Sequence, residues 1–225
     1  ILTLQSRVKE CGRIRIGKKG AKGQPEKLTV FRFTSYDEHA IQQAAVLYGG
    51  TVAKCDDKDL QGQFEVITTA SEIAFITPPK QEPSQYMELW SGGGCVRRCD
   101  GCNDLISGNP CMCTPGEEEC KPTTRLSVIL PDLPGLGVWR LESHGWNAAV
   151  ELVETYNLLR TMAGQGQQVE AVLGLEYRSG KKDGKTVRYV VPVIRIRETP
   201  RELLQRMAAG APALQPTQAP AIESN

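Results

Sequence analysis

The sequence predicts an α+β fold: a mostly antiparallel sheet with two main helices and one inserted cysteine-rich loop. Strand-like segments outnumber helical ones, and they do not alternate with helices as a parallel sheet requires. Six of the eight cysteines fall between residues 95 and 120, a stretch with few large apolar side chains. The chain has 225 residues, 40% of them hydrophobic, with 27 Lys and Arg against 26 Asp and Glu. That composition supports a folded core and excludes whole-chain disorder. The charge is too balanced for a polybasic wrapper of nucleic acid. No apolar run approaches the roughly 20 residues that cross a bilayer, and Ile1–Glu10 lacks the apolar centre of a secretory signal. Residue 1 is Ile rather than Met, so a few native residues are expected to precede it.

Taken in order, Arg13–Ile16 alternates charged and apolar residues, and Leu28–Phe33 is rich in β-formers, so both read as strands. Gly17–Gly23 between them reads as a basic, glycine-rich loop. Ser35 and Asp37 offer N-cap oxygens to a helix that runs to about Tyr48 and stops at Gly49-Gly50. Its apolar positions are Ile41, Ala44, Ala45 and Leu47 or Tyr48. Phe64–Thr68, Glu72–Ile76 and Tyr86–Trp90 are further strands, with Pro78, Pro79 and Pro83 in the last connection. Arg125–Leu130 and Val138–Glu142 follow the cysteines. Asn147–Met162 is a helix with Ala149, Leu152, Val153, Tyr156, Leu158 and Leu159 on one stripe and Glu151, Glu154 and Asn157 opposite. Val169–Tyr177 and Val187–Ile196 read as a hairpin around Asp183-Gly184, with a turn longer than two residues. A short helix spans Pro200–Met207. Residues 1–91 and 124–208 are thus expected to form two parts of one core, flanking a Cys-rich loop at 92–123. Residues 209–225 are expected to be a disordered tail.

The cluster reads Cys95-x3-Cys99-x2-Cys102-x8-Cys111-x-Cys113-x6-Cys120. Tetrahedral zinc takes four thiolates at about 2.3 Å. A segment too poor in apolar residues to fold by burial gains folding free energy directly from such a site. Pro110 precedes Cys111, and an extended Cys-x-Cys pair points both sulfurs to one side. Gly92–Gly94, Gly101 and Gly116 let backbone amides turn towards sulfur. Arg97, Arg98 and Lys121 stand where they offset the negative charge of four thiolates. Bound zinc is the expectation, with Cys95, Cys99, Cys102, Cys111, Cys113 and Cys120 as candidates for four places. Disulfides are the competing reading and need an oxidising compartment, which nothing in the chain indicates. The spacing Cys95-x3-Cys99-x2-Cys102 also matches the iron–sulfur motif of radical S-adenosylmethionine enzymes. That motif follows the first strand of a βα barrel, whereas the 105 residues after Cys120 read β, β, α, β, β.

There is no phosphate loop and no dinucleotide fingerprint. His39, near a helix start, reads as a surface residue. Ser143 and His144 read as capping or packing residues, since neighbouring strand positions face opposite ways and make no nucleophilic pair. Glu117–Glu119 reads as a solvated turn. No catalytic residue is assigned, and the chain is expected not to be an enzyme. Two basic patches stand out, one from Arg7 to Arg32 and one on the Arg178–Arg188 turn. In the first, Arg13, Arg15, Lys18, Lys19 and Lys22 are candidate phosphate contacts. No aromatic residues interleave as on a single-strand stacking platform, and an acidic protein partner suits the patches equally. A zinc-containing nucleic-acid-binding protein is therefore the alternative function.

Several segments taken together resemble recombination directionality factors of Streptomyces phages that carry large serine integrases. They are Gly12–Gly17 (GRIRIG), Lys27–Gly50, Tyr86–Gly101 (YMELWSGGGCVRRCDG), Pro110–Cys113 (PCMC), Cys120–Leu152 with its WRLESHG segment, and Val187–Ile196. The resemblance covers roughly residues 10–197, and its specificity lies in the combination. It implies that the recurring thiols are Cys99, Cys111, Cys113 and Cys120, with Cys95 and Cys102 as additions. It also implies a non-catalytic protein of the bacterial host cytoplasm, with neither membrane nor small-molecule substrate. Such a protein binds the integrase, at what is thought to be the coiled-coil arm of its zinc domain. It redirects recombination to attL × attR excision of the prophage and reaches DNA only through the integrase complex.

Overall fold

The computed structural model describes residues 8–20, 24–78, 81–92, 94–113, 119–164, 168–182 and 184–209. Strands β1 (Glu10–Lys19) and β2 (Pro25–Ser35) form a hairpin. On β1, Gly12, Ile14 and Ile16 are buried while Arg13 and Arg15 are not, the alternation of a sheet with one covered face. The expected Gly17–Gly23 loop is corrected: Gly17, Lys18 and Lys19 still pair with Lys27, Glu26 and Pro25. Positions 21–23 lie outside the described residues. Helix α1 (Glu38–Tyr48) is capped by Asp37, whose carboxylate accepts from Ala40 N. Ser35 instead ends β2, its hydroxyl accepting from Asp37 N. Past the helix, Gly50 has φ +101°, and a Cβ there would meet the Ile67 carbonyl oxygen, so the stop needs glycine.

The chain continues through β3 (Val52–Lys54), β4 (Phe64–Ile67), β5 (Glu72–Phe75), β6 (Ser84–Ser91), β7 (Gly94–Cys99), β8 (Lys121–Val128) and β9 (Val138–Ser143). Helix α2 (Trp146–Gly164), strands β10 (Ala171–Lys182) and β11 (Lys185–Ile196), and helix α3 (Pro200–Ala208) complete it. Eight strands form one sheet in the order β3-β4-β2-β1-β9-β8-β6-β7, and three form another, β11-β10-β5. Every strand pairing is antiparallel except β1 on β9. That parallel pair joins strands from either side of the cysteine segment in one sheet. The two sheets touch through the Ile76–Ile129 bridge. In the β10–β11 hairpin Lys182 pairs with Lys185. The turn is therefore two residues long, shorter than the sequence suggests, and Gly184 has φ +75°, as a two-residue hairpin turn favours.

Both main helices and the smaller sheet pack on the apolar face of the larger one. Ile14, Phe31, Phe33, Leu126 and Leu141 meet Ile73, Phe75, Leu173, Ile41, Leu152 and Tyr156, all at most 2% exposed. The buried Tyr156 hydroxyl donates to the Ser127 carbonyl at 2.5 Å, which fastens α2 to β8. Leu158, expected on the same stripe, is 56% exposed; it lies two positions from Tyr156, on the far side of the helix. On α3, Thr199 and Glu202 exchange hydrogen bonds as a capping box. No helix among the described residues is long and apolar enough to cross a membrane. The expected disordered tail lies outside the described residues from 210 onward.

Candidate functional site

The cysteine segment begins as a strand, β7, which its polar composition (Gly-Cys-Val-Arg-Arg-Cys) did not suggest. Beyond it the chain is shaped by two carboxylates. Asp100 accepts from the amides of Cys102 and Asn103, both at 2.8 Å. Asp104 accepts from Arg98 N, Ile106 N, Ser107 N and the Ser107 hydroxyl. Those donors, the Arg98 amide foremost, pull the Asp104 carboxyl down to about 2. Bridges Cys99–Asp104 and Asn103–Pro110, and a 2.8 Å bond from Cys111 N to the Cys102 carbonyl, close the loop. Its end thereby returns beside its beginning, bringing Cys111 and Cys113 to Cys99 at the end of β7 and to Cys120 just before β8.

These four sulfurs form one electrostatic group. Cys113 Sγ and Cys120 Sγ lie 3.5 Å apart, close to the roughly 3.8 Å expected of two sulfurs sharing a tetrahedral zinc. Cys111 Sγ accepts from Cys113 N at 3.5 Å. Burial and then the neighbouring Cys111 sulfur raise the Cys99 thiol to about 12. Burial and then Cys113 raise the Cys120 thiol to about 11. Cys111 moves the other way: the Cys113 amide, the Cys99 thiol and the charge of Arg97 favour its thiolate. Cys111 is thereby the readiest of the four to ionise, and thiolate sulfur is the form that binds soft metal ions such as zinc. All eight cysteines are free thiols. Among the described residues no group of three or more His, Cys, Asp or Glu side chains stands ready-made as a metal site; the sulfurs sit in hydrogen-bonded pairs.

The remaining candidates fall elsewhere. Cys95 donates to the Arg97 carbonyl at 3.0 Å, and Cys102 is exposed. The structure therefore does not gather Cys95, Cys99 and Cys102, and the strand order is not that of a βα barrel. Of the candidate phosphate contacts, Lys19 is held by Asp57 and Asp59 at 2.9 and 2.5 Å, and Lys18 faces Glu26 at 3.8 Å. Arg13 reaches Glu10 at 3.3 Å, and Arg15 donates to the Thr34 hydroxyl at 3.1 Å. Lys22 lies outside the described residues. His39 is exposed. Ser143 accepts from Gly145 N, while His144 meets the Thr123 hydroxyl and the Glu142 carboxylate.

Sequence reasoning missed the charged network beneath the lobe. Glu88 on β6 has a side chain with no exposure at all, yet it faces Arg98 on β7 and Arg125 on β8. Arg125 grips it with both terminal nitrogens, at 2.9 and 2.7 Å, and turns Nε to Glu142 at 2.8 Å. Trp90 Nε1 adds a bond at 3.0 Å. Burial alone would raise the Glu88 carboxyl, but Arg125, Arg98 and Trp90 pull it down to about 2. The sequence signal was a lone glutamate inside an otherwise strand-like run, Tyr-Met-Glu-Leu-Trp.

Fold and site thus define a mixed α+β protein whose distinctive chemistry is a sulfur cluster on a lobe of the larger sheet. The model of the Gp3-like, recombination directionality factor-like family matches residues 11–197, and the chain belongs to that family. No curated protein and no solved structure matches it.

The buried carboxylate generates a pH prediction. Because its folded-state pKa lies below the ordinary 4.5, Glu88 stabilises the fold above about pH 4.5, and that contribution is lost as pH falls towards 2. Denaturant titrations of the wild type should show this decline. Glu88→Gln should lower stability near neutrality by roughly 3 kcal/mol or more, because it leaves guanidinium charge uncompensated, and should flatten the acid slope. An unchanged slope would contradict the assignment.

Proposed function

We propose that the protein is a phage recombination directionality factor that binds a large serine integrase and shifts it from integration to attL × attR excision. The observation that carries this reading is the family match across residues 11–197. The action is a population shift. The factor must bind the excision-competent form of its recombinase more tightly than the alternative, because equal affinity shifts nothing. A tenfold preference corresponds to about 1.4 kcal/mol, and reversal from 1:99 to 99:1 to about 5.5 kcal/mol. One protein interface supplies such energies without a chemical step, so the protein is read as non-catalytic. The host cytoplasm is its proposed site of action, with DNA reached through the recombinase complex.

Zinc is the ion proposed for the sulfur cluster. Cys99, Cys111, Cys113 and Cys120 would hold it, and its contribution would be structural: a cross-link between the end of β7, the 111–113 loop and the start of β8. The convergence of these four thiols supports the choice. A rigid lobe suits a factor that must discriminate between two shapes of one partner.

Two measurements test these readings. Adding the protein to its cognate integrase should raise attL × attR product by about tenfold or more; no gain would refute the function. Purified protein should contain zinc. Cys111→Ser and Cys120→Ser should lose roughly 3 kcal/mol or more of stability, whereas Cys11→Ser and Cys55→Ser should stay near wild type. Coincident denaturation curves for all four variants would show that the site is not structural.

A further inference from the structure

The face of the larger sheet opposite the core carries an arrangement that ordinary sheet design avoids. Arg15 on β1 lies directly opposite Arg32 on β2, and Arg13 lies directly opposite Arg140 on β9. Arg13 and Arg15 are two positions apart on one strand, so all four guanidinium groups stand on the same face. Like charges placed directly across strands destabilise a sheet. A cluster of this kind persists in a folded chain either because local carboxylates neutralise it or because something else uses it.

Local neutralisation is incomplete. Arg32 is paired with Glu65, and a single carboxylate, Glu10, serves both Arg13 and Arg140. Arg15 has the Thr34 hydroxyl at 3.1 Å and, among the described residues, no carboxylate at ion-pair distance. Burial, then the charges of Arg13 and Arg32, weaken its hold on its proton. The buried Nε of Arg140 has no hydrogen-bond partner among the described residues. Glu142, two positions from Arg140 on β9, acts on both Arg15 and Arg140 but is itself bonded by Arg125. With Arg125 counted, five arginines against Glu10, Glu65 and Glu142 still leave a positive surplus on this face, centred on Arg15.

The geometry points to a docking surface for a carboxylate-rich segment of the recombinase polypeptide, with Arg15 at its centre and Arg13 and Arg140 beside it; Arg32, 5% exposed and bonded to Glu65 and the Gly17 carbonyl, adds its charge from beneath. This inference rests on the functional reading above. Arginine forks match carboxylates bidentately. A nucleic-acid backbone fits the surface less well. The aromatic rings of these strands, Phe31, Phe33 and Trp139, are buried on the other side and offer no base a stacking partner.

The test uses the full chain and purified integrase. Wild-type binding should weaken as salt rises from about 0.1 to about 0.5 M, because screening shortens the reach of these charges. Arg15→Glu should bind the integrase about tenfold more weakly, while its thermal midpoint stays equal to wild type or rises, since the introduced carboxylate lies beside Arg13 and opposite Arg32. Arg15→Ala should fall between the two in affinity. A merely structural arginine would show the opposite pattern, with stability lost and affinity kept. Equal affinity of wild type and Arg15→Glu for the integrase would overturn the proposal. So would a variant that keeps integrase binding but loses affinity for a random-sequence duplex DNA, because the surface would then be a phosphate site. If the wild-type protein itself does not bind the integrase, the functional reading fails and this inference falls with it.

Discussion

Between β7 and residue 113 the chain is held by polar atoms, because its apolar side chains do not turn inward. Leu105, Ile106 and Met112 are 50, 53 and 76% exposed, so burial contributes little to its shape. The Asp104 carboxylate takes that role locally, accepting from three amides and a hydroxyl. It thereby fixes the loop that returns Cys111 to Cys99. Charge-assisted bonds of this sort are roughly twice as strong as neutral ones, yet they shape only a dozen residues. Beyond them, Cys113 and Cys120 meet through their sulfurs, 3.5 Å apart. A cation shared among the four sulfurs would close the lobe where a hydrophobic core is absent.

The lobe is joined to the main body through charge. Arg98, next to Cys99, reaches Glu88, which is gripped in turn by Arg125, and Arg125 bonds Glu142. The chain of contacts crosses β7, β6, β8 and β9. A buried ion pair adds little net stability over an apolar substitute, but breaking one is costly. Its effect is therefore to fix the lobe in one orientation on the sheet. Under the proposed function a fixed orientation would matter: freedom within the factor would be lost on binding and would reduce the preference it can exert.

Most of the fold was legible because burial on one face writes itself into alternation. Gly12, Ile14 and Ile16 against Arg13 and Arg15, and Leu152, Tyr156 and Leu159 along α2, are patterns of this kind. The errors lie where pairing, not burial, extends an element. Gly17–Lys19 stays in β1 through its ladder to β2, and the long β10–β11 hairpin continues to a two-residue turn through lysines that no apolar pattern marks. β7 was invisible because an edge strand of Gly, Cys and Arg has no apolar signature. The cysteine spacing alone exposed six candidate ligands; the family resemblance singled out Cys99, Cys111, Cys113 and Cys120, and the folded loop places Cys95 and Cys102 apart from them. The Glu88 network and the facing arginines could not be read from the chain, since both arise from register between strands distant in sequence.

Amide hydrogen exchange across residues 94–113, measured on the protein as purified and again after chelation, examines the sulfur-bound lobe most directly. Protection there should be present with zinc and lost without it, while the amides of β1, β2 and β9 remain protected in both states. Protein that is free of metal as purified, and equally protected throughout the lobe, would contradict a shared cation as the element that closes it.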